Sequence, residues 1–319
     1  MVYCVFMIIK TAHTIKTNDG FHKTTLDGIY DLVQPQSPLP LIFDSPHSGM
    51  AIPPDFNPAC DISDIAATAD HYVDELFKSA PHQGAALLSA QFPRTYLDLN
   101  RKIDDIDPEI YTGLWPTGQD GFITPNPSNR SYAGIGLIRR LIKPNMPVYH
   151  APLTPTDIQT RIDTYYTPYY DALRTLIDNA HTQYGATWHI NCHSMPASSV
   201  KNAGSTRFNP APRVDFVLGN RDGTTCDNKF TKMIKNALLD MGYNVAINSP
   251  YKGVELVERF SNPAHNRHSI QIEINKALYM NEQTGEKTKG FDKLQNNMSL
   301  LIEEITKFAH KNRAKIAAD

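Results

Sequence analysis

The stretch Leu39-Pro-Leu-Ile-Phe-Asp-Ser-Pro-His-Ser-Gly49 decides how the chain is read. A short apolar run stops at Asp44-Ser45-Pro46, and His47 follows with Gly49 two places on. An apolar run ended by turn-forming residues predicts a buried strand emptying into a loop. In open α/β sheets such strand ends are where sites collect. A second stretch, Thr187-Trp-His-Ile-Asn-Cys-His-Ser-Met-Pro196, repeats the pattern with His193-Ser194 before a proline. Two distant parts of the chain that each deliver His-Ser to a strand end suggest one metal site.

Working outward, residues 11–37 are polar with little periodicity and read as a loosely attached arm, so the chain divides into an N-terminal arm (1–38) and a single α/β domain (39–319). The apolar run 1–9 lacks a basic leader and a small-residue cleavage site, and is too short to span a bilayer; it reads as a first strand or an extension. Residues 64–77 predict an amphipathic helix. Strands are expected at 84–90 and 95–99. The Gly-, Pro- and Asn-rich segment 104–131 reads as a functional loop. A long helix over 155–184, with a kink at Pro168, precedes strands at 188–191 and 216–218. A helix over 228–241 ends at Gly242. Strands at 244–248 and 269–275 and a last helix over 291–309 complete the pattern. Strands alternating with helices predict a three-layer αβα domain with a parallel or mixed central sheet.

The 319 residues are 41% hydrophobic and 20% charged, enough for a sizeable core. A formal net charge of −2 gives no electrostatic case for nucleic acid or an anionic membrane as partner. The cysteines Cys4, Cys60, Cys192 and Cys226 are scattered with no C-x-x-C pair, which points away from a disulfide framework and towards a reducing cytoplasm.

A catalytic zinc takes three protein ligands, drawn from His and Asp or Glu, and keeps one open position. His47 and His193 supply two. Asp70 and Asp74, one helical turn apart on one face, both stand as the third. No compact H-E-x-x-H motif is present, and each histidine taken alone reads equally well as a structural residue. In 269–275 the side chains alternate, so Gln271, Glu273 and Asn275 face away from Ile270, Ile272 and Ile274. A half-buried Glu273 would have a raised pKa suited to general acid–base work. Arg94 and Asn100-Arg101 follow short strands and offer bidentate recognition of a carboxylate. Arg139, Arg140, Lys252 and Arg259 are further cations, with one of the Arg139-Arg140 pair read as a solvated surface charge. There is no phosphate loop, no G-x-G-x-x-G and no G-x-S-x-G elbow. Cys192 should point to the core, opposite its neighbour His193.

Several blocks, taken in order, resemble the N-formylglutamate amidohydrolase family: Asp44-Ser-Pro-His-Ser-Gly49, Ala69-Asp-His-Tyr-Val-Asp-Glu-Leu-Phe77, Phe92-Pro-Arg-Thr-Tyr-Leu-Asp-Leu-Asn-Arg101, Asn191-Cys-His-Ser-Met-Pro196, Asp215-Phe-Val-Leu-Gly-Asn-Arg-Asp-Gly-Thr-Thr-Cys226, Pro250-Tyr-Lys-Gly253 and Gln271-Ile-Glu-Ile-Asn-Lys-Ala-Leu-Tyr-Met280. The resemblance implies a phosphorylase/hydrolase-like fold akin to zinc carboxypeptidases, and zinc-dependent hydrolysis of N-formyl-L-glutamate in histidine degradation. It implies His47, Asp70 (or Asp74) and His193 as metal ligands and Glu273 as the catalytic glutamate. Asn100-Arg101 resembles the Asn-Arg pair such enzymes use on a substrate carboxylate, with Arg94, Arg139, Lys252 and Arg259 as further substrate contacts. The close H-x-x-E spacing of carboxypeptidases is missing, and both the loop 104–131 and the Asn191-Cys-His-Ser-Met195 block diverge. Two other readings stand beside it: a zinc hydrolase of another N-acyl amino acid or small peptide, and a non-catalytic binding protein on the same fold.

Overall fold

In the computed structural model, residues 11–118, 121–200 and 213–316 are described; the apolar run 1–9, read above as a strand or extension, lies outside them. The opening motif is a strand, β4 (Leu41–Ser45), buried along its whole length. It lies inside a nine-stranded sheet. In chain order the other strands of that sheet are β1 (Ala12–Lys16), β2 (His22–Leu26), β3 (Tyr30–Gln34), β5 (Ala86–Ala90), β8 (Thr187–Met195), β9 (Phe216–Gly219), β10 (Val245–Ile247) and β11 (Arg267–Asn275), while β6 (Leu141–Lys143) and β7 (Met146–Pro147) form a separate hairpin. The spatial order is β1-β2-β3-β5-β4-β8-β11-β9-β10. The centre, β5-β4-β8-β11, is parallel; β1-β2-β3-β5 run antiparallel on one side, and β9 pairs antiparallel with β11 on the other. The sheet is therefore mixed, as expected.

Both faces of the central strands are covered, so their side chains divide strictly by parity. Leu41, Phe43, Trp188, Ile190, Ile270 and Ile272 pack on one face against α2 (Val73–Leu76), α6 (Asn228–Asp240) and α8 (Gly290–Ile316). On the other face Ile42 and Leu88 meet Ile158, Tyr169 and Leu173 from α4 (Pro155–Arg161) and α5 (Thr167–Tyr184), with Leu256 of α7 (Glu255–Arg259); the single-turn α3 (Asn129–Tyr132) precedes them in the chain. Each such side chain contributes about 1.5–3 kcal/mol of transfer free energy relative to exposure. None of the helices among the described residues is long and apolar enough to cross a membrane.

Three sequence expectations change. Residues 11–37 are not a loose arm: they supply β1, β2 and β3, which extend the sheet edge. All five β1 residues are exposed, so no apolar alternation marks the strand in the sequence. Residues 95–99 form turns, not a strand; their backbone groups are satisfied locally or by a distant loop, with Tyr96 N–H on Pro93 O (3.0 Å) and Asp98 N–H on Leu137 O (2.7 Å). The helix expected over 64–77 is broken into α1 (Ile62–Ala67) and α2. The Asp70 N–H leaves the helical ladder to bond His47 O at 2.9 Å, and Tyr72 sits at φ 64°, which ends helical continuity. By contrast the 155–184 helix continues through its proline by widening to a π turn over Ile162–Tyr166, just ahead of Pro168. Proline has no N–H for the i−4 carbonyl, and the wider turn absorbs that loss.

On the α5 face the parity rule brings polar residues into the core, and one carboxylate gathers them. Asp44, fully buried, accepts from His189 Nε2 (2.8 Å), Asn191 Nδ2 (2.8 Å) and Tyr169 OH (2.9 Å). Ser269 Oγ lies 2.7 Å from His189 Nδ1 and completes the ring's partners. Removing the acceptor would orphan three buried donors, each at roughly 1–3 kcal/mol. We therefore expect Asp44→Ala to lower unfolding free energy by about 3 kcal/mol or more in urea titrations; a loss under about 0.5 kcal/mol would show that the network is not structural.

Candidate active site

Strands β4, β8 and β11 are parallel neighbours, so their C-terminal ends open on one edge of the sheet. His47 lies two residues beyond the end of β4, and His193 and Glu273 lie near the ends of β8 and β11. In the ladder His193 is directly opposite Glu273, and Asn191 opposite Gln271, so these pairs stand about one strand spacing apart, ~4.8 Å. Cys192, one residue away, is buried in the opposite core, as read. The loop leaving His47 passes so close to another chain segment that a Cβ on Gly49 would meet the Gln91 carbonyl carbon at 2.2 Å; only glycine fits there.

His47, Asp70 and His193 come together with one nitrogen or oxygen atom each within 4.8 Å of the others, all buried. The hydrogen bonds around them fix which atoms face inward. His47 Nε2 is 2.8 Å from Asp98 Oδ1, and a carboxylate only accepts, so Nε2 carries the proton. His47 Nδ1 is then a buried lone pair with no hydrogen-bond partner, 3.5 Å from Asp70 Oδ2. Asn191 donates its amide to Asp44, so its Oδ1 accepts from His193 Nε2 at 2.8 Å. His193 Nδ1 thereby faces Asp70 Oδ2 at 2.9 Å. His47 Nδ1 is a lone pair without a partner, and His193 Nδ1 faces a carboxylate oxygen that can only accept, so the cluster needs either a proton on His193 Nδ1 or a cation among the three atoms. The donor set and its outer hydrogen bonds fit a divalent ion of the zinc type.

Asp74 is not in this cluster: it lies in α2 with its N–H on Ser48 Oγ (3.2 Å), and burial raises its carboxyl. Burial opposes ionisation of Asp70 as well, but the facing His193 and His47 and the Arg94 charge outweigh it and hold that carboxyl well below the usual range. Arg94 donates to Asp98 Oδ2 through Nε (3.2 Å) and Nη2 (2.8 Å), and its Nη1 is 3.8 Å from Asp70 Oδ1. Asp98 thus links Arg94 to His47. It too is held well below the usual carboxylate range, against its burial, by Arg94, His47 and Arg101. Sequence reading gave Asp98 no role; its only signal is an acid set between apolar residues in Tyr96-Leu-Asp-Leu99.

Glu273 is buried, and Gln271 Nε2 donates to its Oε1 at 2.8 Å. Burial pushes its carboxyl up to about 7, against the pull of His193 and with the Asp70 charge adding to the rise. It borders a cavity of about 580 Å³ that also meets Asp70, His193 and Arg94. Arg101, Arg139 and Lys252 reach the same cavity, as do Arg130, Arg221 and Lys276, which the sequence did not single out. Buried Lys276 donates to Ala69 O at 2.6 Å, beside Asp70. Asn100 borders the cavity, but its amide is engaged: Oδ1 accepts from Leu256 N (3.1 Å), and Nδ2 lies 3.1 Å from His193 Nε2 and 3.3 Å from Gln271 Oε1. Arg259 is not brought to this cavity; it pairs with Glu255 along α7. Of the Arg139-Arg140 pair, Arg140 points away to Asp107 (2.7 Å) and Glu109 (3.0 Å).

A polar cavity rimmed by cations, with a buried glutamate beside a candidate metal cluster, fits an enzyme that acts on a small anionic molecule. Known proteins narrow the class. The chain matches the N-formylglutamate amidohydrolase family over residues 39–280, and it belongs to that family. A solved N-formylglutamate amidohydrolase from Ralstonia eutropha JMP134 is 40% identical, with a TM-score of 0.83 over 89% of this chain and 99% of that one. The N-formylglutamate deformylase of Pseudomonas putida is 23% identical over 251 residues, 77% of this chain and 84% of the relative. A gene product of Agrobacterium tumefaciens, 14% identical with a TM-score of 0.60, shares the fold over 90% of this chain and 95% of its own.

Two outcomes follow from the site's electrostatics. Asp98→Ala frees the His47 ring and should weaken zinc binding about 10–100-fold in chelator competition; unchanged affinity would remove Asp98 from the metal's support. The second concerns Glu273. Its folded pKa of about 7 lies above the ordinary 4.5, so between those pH values the folded protein binds more protons than the unfolded chain. Stability of the metal-free protein must then fall as pH rises through this window, by about 3 kcal/mol in all. Metal-free Glu273→Gln should therefore melt higher than wild type at pH 8 and lose that advantage near pH 4.5; a difference independent of pH would contradict the buried-carboxylate account.

Proposed function

We propose that this protein is a zinc-dependent deformylase that hydrolyses N-formyl-L-glutamate to formate and L-glutamate, working in the cytoplasm as a step of histidine degradation. Family membership and the 40% identical Ralstonia neighbour support the substrate. The observation that carries the metal dependence is the convergence of His47 Nδ1, Asp70 and His193 Nδ1, with Glu273 one strand away. The described cysteines Cys60, Cys192 and Cys226 are all free thiols, in keeping with a reducing compartment.

His47, Asp70 and His193 would hold the ion, whose Lewis acidity, once bound, acts on the formyl carbonyl and the attacking water. Glu273 takes the proton from that water and returns it to the departing amine. Gln271 keeps the carboxylate in place through its 2.8 Å hydrogen bond. Arg94, tied to Asp98, lines the cavity beside Asp70, where negative charge develops on the formyl oxygen. Arg101, with Arg139 and the more exposed Lys252, takes up substrate carboxylate charge, and Asn100 braces the wall between Gln271 and α7.

Formate release by the zinc-loaded protein tests the reading. Glu273→Gln should cut kcat by about 10²–10⁴-fold with one zinc per chain retained; near-normal turnover would strike Glu273 from the mechanism. N-acetyl- and N-succinyl-L-glutamate should be poor substrates, and preference for either would replace the formyl assignment.

A further inference from the structure

Cations around the cavity fall into two kinds. Arg94, Arg221 and Lys252 are neutralised by Asp98 (2.8 Å), Glu258 (3.0 Å) and Asp222 (2.8 Å). Arg101, Arg130, Arg139 and, beside Asp70, Lys276 have no carboxylate within ion-pair distance among the described residues; the three arginines lie together. One short segment assembles these three. Ile135 N–H bonds Arg130 O at 2.9 Å, Ile135 O accepts from Arg101 Nε at 3.2 Å, and Ile135 bridges antiparallel to Arg139. The segment is anchored at its back, where Leu137 O accepts from Asp98 N–H at 2.7 Å and Leu137 N–H bonds Asp105 O at 2.8 Å. A Cβ on Gly136 would meet Ser131 Oγ at 2.3 Å and Asp105 O at 2.6 Å, so the tight return is available only to glycine. Arg139 Nε is buried and has no hydrogen-bond partner. Burial and the neighbouring Arg94 charge push its pKa down to about 9.

A guanidinium buried beside other cations, with an unused donor and no acid, is costly unless a ligand supplies the negative charge. We propose that the 130–139 segment reads the second carboxylate of a dicarboxylic substrate, with Arg139 as the specificity-determining residue and Arg101 and Arg130 closing the clamp. This rests on the deformylase reading above and adds to it the residue that separates glutamate from its amide. A substrate with one carboxylate fewer leaves Arg139 uncompensated, whereas a dicarboxylate satisfies it through paired N–H···O bonds.

The test compares kcat/KM for N-formyl-L-glutamate and N-formyl-L-glutamine. Wild type should favour the glutamate derivative by about 100-fold or more. Arg139→Met should shrink that ratio at least ~10-fold, mainly through KM for the glutamate derivative, with zinc content retained. Arg139→Lys, which keeps the charge but not the fork, should fall between. A wild-type ratio preserved in Arg139→Met overturns the proposal. Failure of wild type to release formate from N-formyl-L-glutamate would instead sink the deformylase reading, and the clamp is then judged by glutarate binding in calorimetry. Glutarate should bind wild type at least ~10-fold more tightly than Arg139→Met; equal binding overturns the clamp.

Discussion

The parallel register of β4, β8 and β11 is the constraint on which the site depends. Side chains alternate along a strand, and register fixes which of them become neighbours. Asp44 therefore stands opposite Asn191, Asn191 opposite Gln271, and His193 opposite Glu273. A slip of one residue would send His193 and Glu273 into the apolar core occupied by Cys192 and Ile272. The same register lets Asp44 act twice: it satisfies His189 within the core, and by accepting the Asn191 amide it orients that residue's oxygen towards His193. One buried carboxylate thus ties the core to the orientation of a residue that touches a candidate ligand.

Asp98 plays the matching part for His47, but from a turn rather than a strand. One of its oxygens takes the His47 ring proton and the Asn100 N–H, the other takes Arg94, and its own N–H holds Leu137. The turn over 95–99 therefore joins the His47, Asp70 and His193 cluster to the segment that carries Arg139. A change at Asp98 would be felt at both ends of the cavity, which makes it a positioning group for the whole site.

What was legible in the sequence follows from this division. His47, His193 and Glu273 sit on or just beyond apolar strands, where a period of two and a terminating turn tell which way a side chain points. Gln271 and Cys192 fell to their observed faces for the same reason. The rest depends on turns, and turn geometry is set by distant partners. Asp70 and Asp74 look equivalent on a continuous helix; they separate only because the Asp70 N–H bonds His47 O and breaks that helix. Arg139 and Arg140 are adjacent and chemically identical, yet one meets the cavity and the other Asp107 and Glu109. The edge strands 12–34 escaped notice because an edge with much of its surface in solvent needs no alternation. Arg259 drew attention as a cation near other motifs, but a helical i,i+4 partner, Glu255, had already claimed it.

The charges of the cavity are divided in space, and the division accounts for its chemistry. On the metal side, Asp70 and Asp98 stay ionised because Arg94 and two imidazoles face them. Glu273 lacks such a partner at close range, so burial dominates and its proton is held near neutrality. The carboxylate left without a close partner is thus the one whose protonation changes near neutral pH, while the paired ones hold geometry. On the opposite wall the imbalance has the other sign, with guanidinium groups lacking acids. Each imbalance costs stability in the free protein, and on the proposed reading a cation among His47, Asp70 and His193 and a carboxylate at Arg139 would relieve them. Stability is surrendered at such places because a fully compensated cavity would bind neither. On the proposed reading, an anionic substrate would meet a site whose two halves are incomplete in complementary ways.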